Sequence, residues 1–169
     1  MNKVLLIISV FLLSSCLGMP ESVKPASDFE LQKYLGKWYE IARLDHSFER
    51  GLSQISAEYS LKDDGGVKVI NRGFSKEDNQ WNQAEGKAYF VNDVTQGYLK
   101  VSFFGPFYGS YVVFELDEDY QYAFVSGPDT EYLWLLARTP TVDKKILNKF
   151  VAMSKARGFN TKNIIYVEQ

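Results

Sequence analysis

The sequence predicts an all-β domain, an eight-stranded antiparallel up-and-down β-barrel with one C-terminal α-helix packed outside it. Three observations predict it. Between Trp38 and Arg138, apolar and polar residues alternate in short runs broken by turn residues, with no helical pattern between them. After Arg138 the period changes to that of an amphipathic helix. Aromatic residues make up 15% of the chain, with 12 Phe, 11 Tyr and 3 Trp, a bias shared by strands and by cavities that hold apolar ligands.

The alternating segments span 38–45, 54–61, 66–74, 81–91, 98–104, 109–117, 121–127 and 132–138. The breaks between them, such as "DDGG", "NDVTQG" and "GPDTE", supply the Asp, Gly, Asn and Pro that turns use. Strands spaced this closely, with no crossover helices, form a meander, and closing it into a barrel removes both edges. In "TPTVDKKILNKFVAMSKARGF", Ile146, Leu147, Phe150, Val151 and Met153 fall at helical spacing. Thr141 is placed to cap that helix and Gly158 to end it, with one apolar face against the outer barrel wall. A short strand over 164–167 closes the chain.

The first residues stand apart from this domain. "MNKVLLIISVFLLSSC" has a basic n-region at Lys3, an apolar run from Val4 to Leu13 and then small residues, the pattern of a secretory signal. Leu13-Ser14-Ser15-Cys16 resembles the bacterial lipobox, in which the cysteine is lipidated after cleavage just before it. Residues 1–15 are then the signal peptide, and Cys16, the one cysteine present, is a lipid attachment site that tethers the protein to a membrane. A single cysteine forms no internal disulfide. Residues 16–30, with two prolines and small polar residues, read as a flexible lipidated tether, and residues 31–169 as the barrel domain. The formal charge of -2 offers no electrostatic basis for nucleic-acid binding.

Three motifs in order give the chain a family resemblance. Gly36-Lys37-Trp38 enters the first strand, "LDEDYQYA" (116–123) contains Asp119-Tyr120 at the turn between strands six and seven, and Arg138 ends "YLWLLAR". Together they resemble the lipocalin family over residues 31–167, with Glu118 standing where the family's turn has threonine. "WYEIARLDHSFERG", "EGKAYF" and "SFFGPFYG" are similar to the bacterial lipocalins, which are outer-membrane lipoproteins. The resemblance implies that Gly36, Trp38, Asp119, Tyr120 and Arg138 close one end of the barrel, with the Arg138 guanidinium over the Trp38 ring. It also implies a location at the outer membrane, lipid-anchored, with the domain facing the periplasm.

With Trp38 inward, the two-residue period and the family pattern place Glu40, Ala42 and Leu44 inside, and Tyr39 and Ile41 outside toward the helix. The same matching gives Tyr59, Val69, Asn71, Ala88, Val101, Phe103, Tyr111, Val113, Tyr132 and Trp134 as ligand-binding positions, together with Ala42. Gly86 and Val125 are inward as well. This lining suits a long hydrocarbon with one polar end; the alternative is a barrel filled by its own aromatics. Glu40 and Glu115 are candidates for buried carboxylates that meet a head group or an internal partner.

"SFFGPFYGSY" places Phe104, Phe107 and Tyr108 at the open end, as a greasy lip or as a hairpin packed on its neighbours. The lip, or an outward stripe of Val112, Phe114 and Leu116, is also a candidate contact for a membrane or for a second copy in a homodimer. His46 is the only histidine and reads as a solvated loop residue, so no metal set and no cofactor is expected. The resemblance implies a binding protein for fatty acids or (lyso)phospholipids, serving storage, transport or repair of envelope lipids. A structural or stress-related lipoprotein, and a lipid-ester enzyme, are the other readings.

Overall fold

The computed structural model describes residues 17–169. The signal peptide and the lipidation expected at Cys16 lie outside the described residues. A one-turn helix α1 (Leu31–Tyr34) precedes β1 (Gly36–Arg43), β2 (Leu52–Leu61), β3 (Val67–Ser75), β4 (Gln80–Phe90), β5 (Tyr98–Phe104), β6 (Phe107–Leu116), β7 (Tyr122–Ser126) and β8 (Leu133–Ala137). Helix α2 (Lys144–Ala156), a 3₁₀ turn (Thr161–Asn163) and β9 (Ile165–Tyr166) follow. Each of the first eight strands pairs antiparallel with its sequence neighbour, and β1 pairs with both β2 and β8. The sheet therefore closes on itself as the expected eight-stranded barrel.

The up-and-down order sorts the loops. Those over 62–66, 91–97 and 117–121 share the end where β1 begins, and α1 lies before that end. Those over 44–51, 76–79, 105–106 and 127–132 share the other end, the mouth. Near the mouth β1 and β2 part, since β2 pairs only with Gly36–Tyr39. The C-terminus fills that seam. β9 pairs with Ala42 and Arg43, the Gln54 N–H donates to the Glu168 carbonyl at 2.6 Å, and the Gln169 amide donates to the carbonyls of Glu40 and Ile55. Backbone groups that the parting strands would leave unpaired are thereby satisfied.

Two apolar clusters lie on opposite sides of the wall. The outer one joins Ile41, Val112, Phe114, Phe124, Leu135 and Ala137 to Phe150 of α2 and to Phe159. Ile146, Leu147 and Met153 extend the covering face of α2, as their spacing predicts. The helix begins two residues later than expected, with Asp143 rather than Thr141 at the cap position and no side-chain cap hydrogen bond. It ends where Gly158, at φ +86°, turns the chain so that the Phe159 N–H reaches the Ser154 carbonyl at 3.2 Å.

Two expectations about the outside are corrected. The stripe of Val112, Phe114 and Leu116 is not a free surface. Val112 and Phe114 are buried in the outer cluster, and a register shift between Val113 and Glu115 turns Leu116 inward. The same shift sends Glu115 outward, where it pairs with Lys149 of α2. The segment 17–30, read as a flexible tether, lies against the barrel instead. The Gly18 N–H donates to Ser110 Oγ at 2.9 Å, Ala26 to the Val113 carbonyl at 2.8 Å and Phe29 to the Thr95 carbonyl at 2.8 Å. Val23 and Phe29, both buried, supply the apolar contacts that hold it.

Candidate ligand-binding site

The inner cluster starts at the closed end. Gly36 adopts φ +93°, a conformation that favours glycine, as the chain turns from α1 into β1. Two residues on, Trp38 is fully buried, and its indole N–H donates to the Tyr34 carbonyl at 2.8 Å. The Arg138 guanidinium lies 4.0 Å from the Trp38 ring centroid. Its N–H groups donate to the carbonyls of Lys33 (2.6 Å), Lys37 (3.0 Å) and Tyr120 (3.3 Å). Tyr120 is buried at φ +58°, and its hydroxyl accepts the Glu30 N–H at 2.9 Å. Asp119 is exposed and donates its own N–H to the Asp117 carboxylate, which also accepts from Gln121. The carboxylate that organises this turn is therefore Asp117, two residues before the one that the motif suggests.

Above this floor three tyrosines form a hydroxyl chain. Tyr34 and Tyr111 are 2.7 Å apart and Tyr59 and Tyr111 2.9 Å. Burial raises all three phenols above their usual range, so the chain stays neutral. Val69, Ala88 and Val113 pack in the same cluster as Tyr59, with Val101, Phe103 and Trp134 against it. Asn71 shares their face, because it pairs with Ala57 two residues from the Tyr59–Val69 pair. Phe103 lies over Gly86, where an added Cβ would stand 2.8 Å from its ring.

The inner wall is open toward the mouth. Asn71, Val101, Phe103, Tyr111 and Trp134 are only half-buried, and Ala84, on the inner face opposite Asn71, is exposed. β4 pairs with β5 only from Lys87 to Phe90, so its first half has a single neighbour and the wall is loosest there.

Ala42 does not line this space. A bulge between Glu40 and Ala42 shifts the register of β1 against β8. Ala42 and Leu44 consequently join the outer cluster, while Arg43 pairs with inward Trp134. The bulge brings together a buried polar group that the alternation did not reveal. Arg43 donates to Glu40 Oε1 at 3.1 Å and to the Glu49 carbonyl at 3.0 Å, and the Trp134 indole donates to Glu49 Oε2 at 3.1 Å. Burial, reinforced by the neighbouring carboxylate of Glu49, pushes Glu40 well above the usual carboxylate range. Burial raises Glu49 as well.

His46 is also not the solvated loop residue expected. It is 5% exposed, with its ring 4.9 Å from Tyr132, 5.2 Å from Phe48 and 4.8 Å from Trp134. Burial, helped by the Arg43 charge, lowers its pKa to about 4. Tyr132 is thus part of the rim, stacked on His46 rather than projecting toward the tyrosine chain. The signal in the sequence is the aromatic pair Tyr132 and Trp134 together with "DHSFER", two segments that only the closed barrel makes adjacent. Among the described residues no group of three His, Cys, Asp or Glu side chains is arranged to hold a metal ion.

Residues 29–169 match the model of the lipocalin-like domain. The chain is 71% identical to the outer membrane lipoprotein Blc of Vibrio cholerae, covering 100% of this chain and 99% of that protein. It is 48% identical to the protein of the same name from Escherichia coli, with coverage of 95% and 92%. Among solved structures, insecticyanin from the tobacco hornworm Manduca sexta superposes with a TM-score of 0.71 at 22% identity, covering 87% of this chain and 84% of that one.

Proposed function

The chain belongs to the lipocalin family, and we propose that its barrel binds the acyl chain of a fatty acid or (lyso)phospholipid without transforming it. One observation carries this reading: an apolar inner wall, with Val101 and Phe103 still half-open to solvent, rises from the mouth and meets a neutral tyrosine chain below. Apolar walls with few fixed polar groups are the usual character of a small-molecule site. The residues proposed to contact the ligand are Tyr59, Val69, Asn71, Ala88, Val101, Phe103, Tyr111, Val113 and Trp134. The Arg43–Glu40–Glu49 group and the rim of His46 and Tyr132 stand where a polar head would emerge.

Relatives at 71% and 48% identity are outer membrane lipoproteins, and this chain is one of the same group at the same membrane. Lipidation at Cys16 is the proposed means of attachment, with the barrel on the periplasmic side. A binder of acyl chains tethered there would serve storage, transport or repair of membrane lipids.

Native mass spectrometry of the domain purified without detergent tests the reading. Co-purified acyl lipid, or uptake of a fluorescent fatty acid, is expected. An empty barrel that takes up none leaves a structural envelope protein; turnover of lysophospholipid makes it an enzyme. Metabolic palmitate labelling lost in Cys16→Ala tests the anchor separately.

A further inference from the structure

We propose that the barrel is held obliquely against the membrane with the β5–β6 corner of its mouth embedded, so that acyl chains enter from the bilayer rather than through water. The proposal rests on lipidation at Cys16. Its geometry comes from the way residues 17–30 are bound.

The packed N-terminal segment climbs the outer wall from the closed end toward the mouth. Going backward along the chain, Phe29 is fixed at Thr95, Ala26 at Val113 and Gly18 at Ser110. Ser110 lies on β6 only three positions from Phe107, roughly 10 Å at the rise of a strand. Cys16 precedes Gly18 by two residues, a reach of about 7 Å. An acyl group attached two residues before Gly18 enters the bilayer within reach of the hairpin, which brings the membrane to that level. A flexible tether of fifteen residues, as the composition alone suggests, would have left the orientation free.

The hairpin itself fits that surface. Phe104 and Phe107, flanking Gly105-Pro106, are 81% and 65% exposed, and Leu17 beside the anchor is exposed too. Tyr108 sits just inside them with the ammonium groups of Lys100 and Lys87 at 5.1 and 6.0 Å from its ring. Apolar tips backed by a phenol and lysines match the layering of acyl chains, interface and anionic head groups. The closed-end loops carry Asp63, Asp64, Asp93, Asp117, Glu118 and Asp119, which an anionic leaflet repels. The mouth loops over 76–79 and 127–132 bear Glu77, Asp78, Asp129 and Glu131, which turn those sides of the mouth away from an anionic leaflet.

The test uses full-length lipidated protein in vesicles of phosphatidylethanolamine and phosphatidylglycerol. Since Cys16 is acylated, Phe107→Cys and, separately, Asp63→Cys each offer one thiol for an environment-sensitive fluorophore. The label at 107 is expected to shift to the blue and to be quenched by spin-labelled lipid, while that at 63 behaves as in water. A label at 107 that stays in water, or quenching at 63, overturns the orientation. Palmitate labelling of the same preparations separates the two failures: lipidated protein with a wet hairpin sinks this proposal alone, and unlipidated protein sinks both. In a second measurement, Phe104→Asp with Phe107→Asp is expected to slow fatty-acid uptake from vesicles about tenfold without changing affinity for dispersed fatty acid. An unchanged rate of uptake contradicts entry from the bilayer.

Discussion

The Arg138 guanidinium lies 4.0 Å over the Trp38 ring and donates to the carbonyls of Lys33, Lys37 and Tyr120, tying the end of β8 to the start of β1. The stack and three charge-assisted bonds act at the point where the barrel closes. Arg138→Ala is expected to cost ~2–3 kcal/mol and lower the melting temperature by ~5–10 °C. Arg138→Lys is expected to recover less than half, since an ammonium cannot serve the same fork. An unchanged melting temperature for Arg138→Ala would remove the closure role.

The buried ion group near the mouth has one cation between two carboxylates. Arg43→Met strands Glu40 and Glu49 without their partner and is expected to destabilise by ~3–5 kcal/mol, read from urea midpoints. Adding Glu40→Gln to Arg43→Met is expected to restore part of that loss, because one buried charge disappears. A double variant no more stable than the single one would show that Arg43 acts through packing instead.

His46 makes stability depend on pH. Its folded pKa of about 4 lies below the ordinary value near 6.5, so between these pH values the unfolded chain binds a proton that the folded chain refuses. Its contribution is therefore fully present above pH ~6.5 and is lost as the pH falls toward 4. Glu40 and Glu49, with raised folded pKa values, act in the opposite sense. Comparing His46→Phe with the parent isolates the histidine: between pH 7 and pH 4.5 the variant is expected to lose ~3–6 °C less in melting temperature. Equal losses would place His46 in water.

The inner wall is most open beside the loosely paired half of β4. Ala84 is exposed on the inner face there, so Ala84→Trp is expected to leave stability within ~0.5 kcal/mol and to weaken fatty-acid binding at least tenfold. Titration with a fluorescent fatty acid measures this. Unaltered affinity would mean that the ligand enters or lies elsewhere.

Local chemistry made most of the architecture legible. Alternation and turn residues predicted the eight strands, helical spacing predicted α2, and Trp38 set the inward phase that holds for Tyr59, Val69, Ala88, Val101, Phe103, Tyr111 and Val113. These depend on residues near each other in sequence, or on a two-residue period that propagates along a strand. Where the phase breaks, the sequence says nothing local. The β1 bulge moves Ala42 out and Arg43 in, and the β6 shift sends Glu115 to Lys149, because pairing with a neighbouring strand decides the register.

The remaining differences have the same cause at longer range. His46 looks like a loop histidine until Tyr132 and Trp134 are brought beside it, some ninety residues on. Residues 17–30 have the composition of a linker, yet Val23 and Phe29 find apolar surface and Gly18 finds Ser110. By itself the sequence determined a barrel, its covering helix and the Gly36, Trp38, Tyr120 and Arg138 of its floor, since each follows from periodicity or a short motif. The tertiary structure alone decided which side chains meet at the mouth and where the N-terminal segment lies. Those outcomes depend on surfaces that exist only once distant strands have paired.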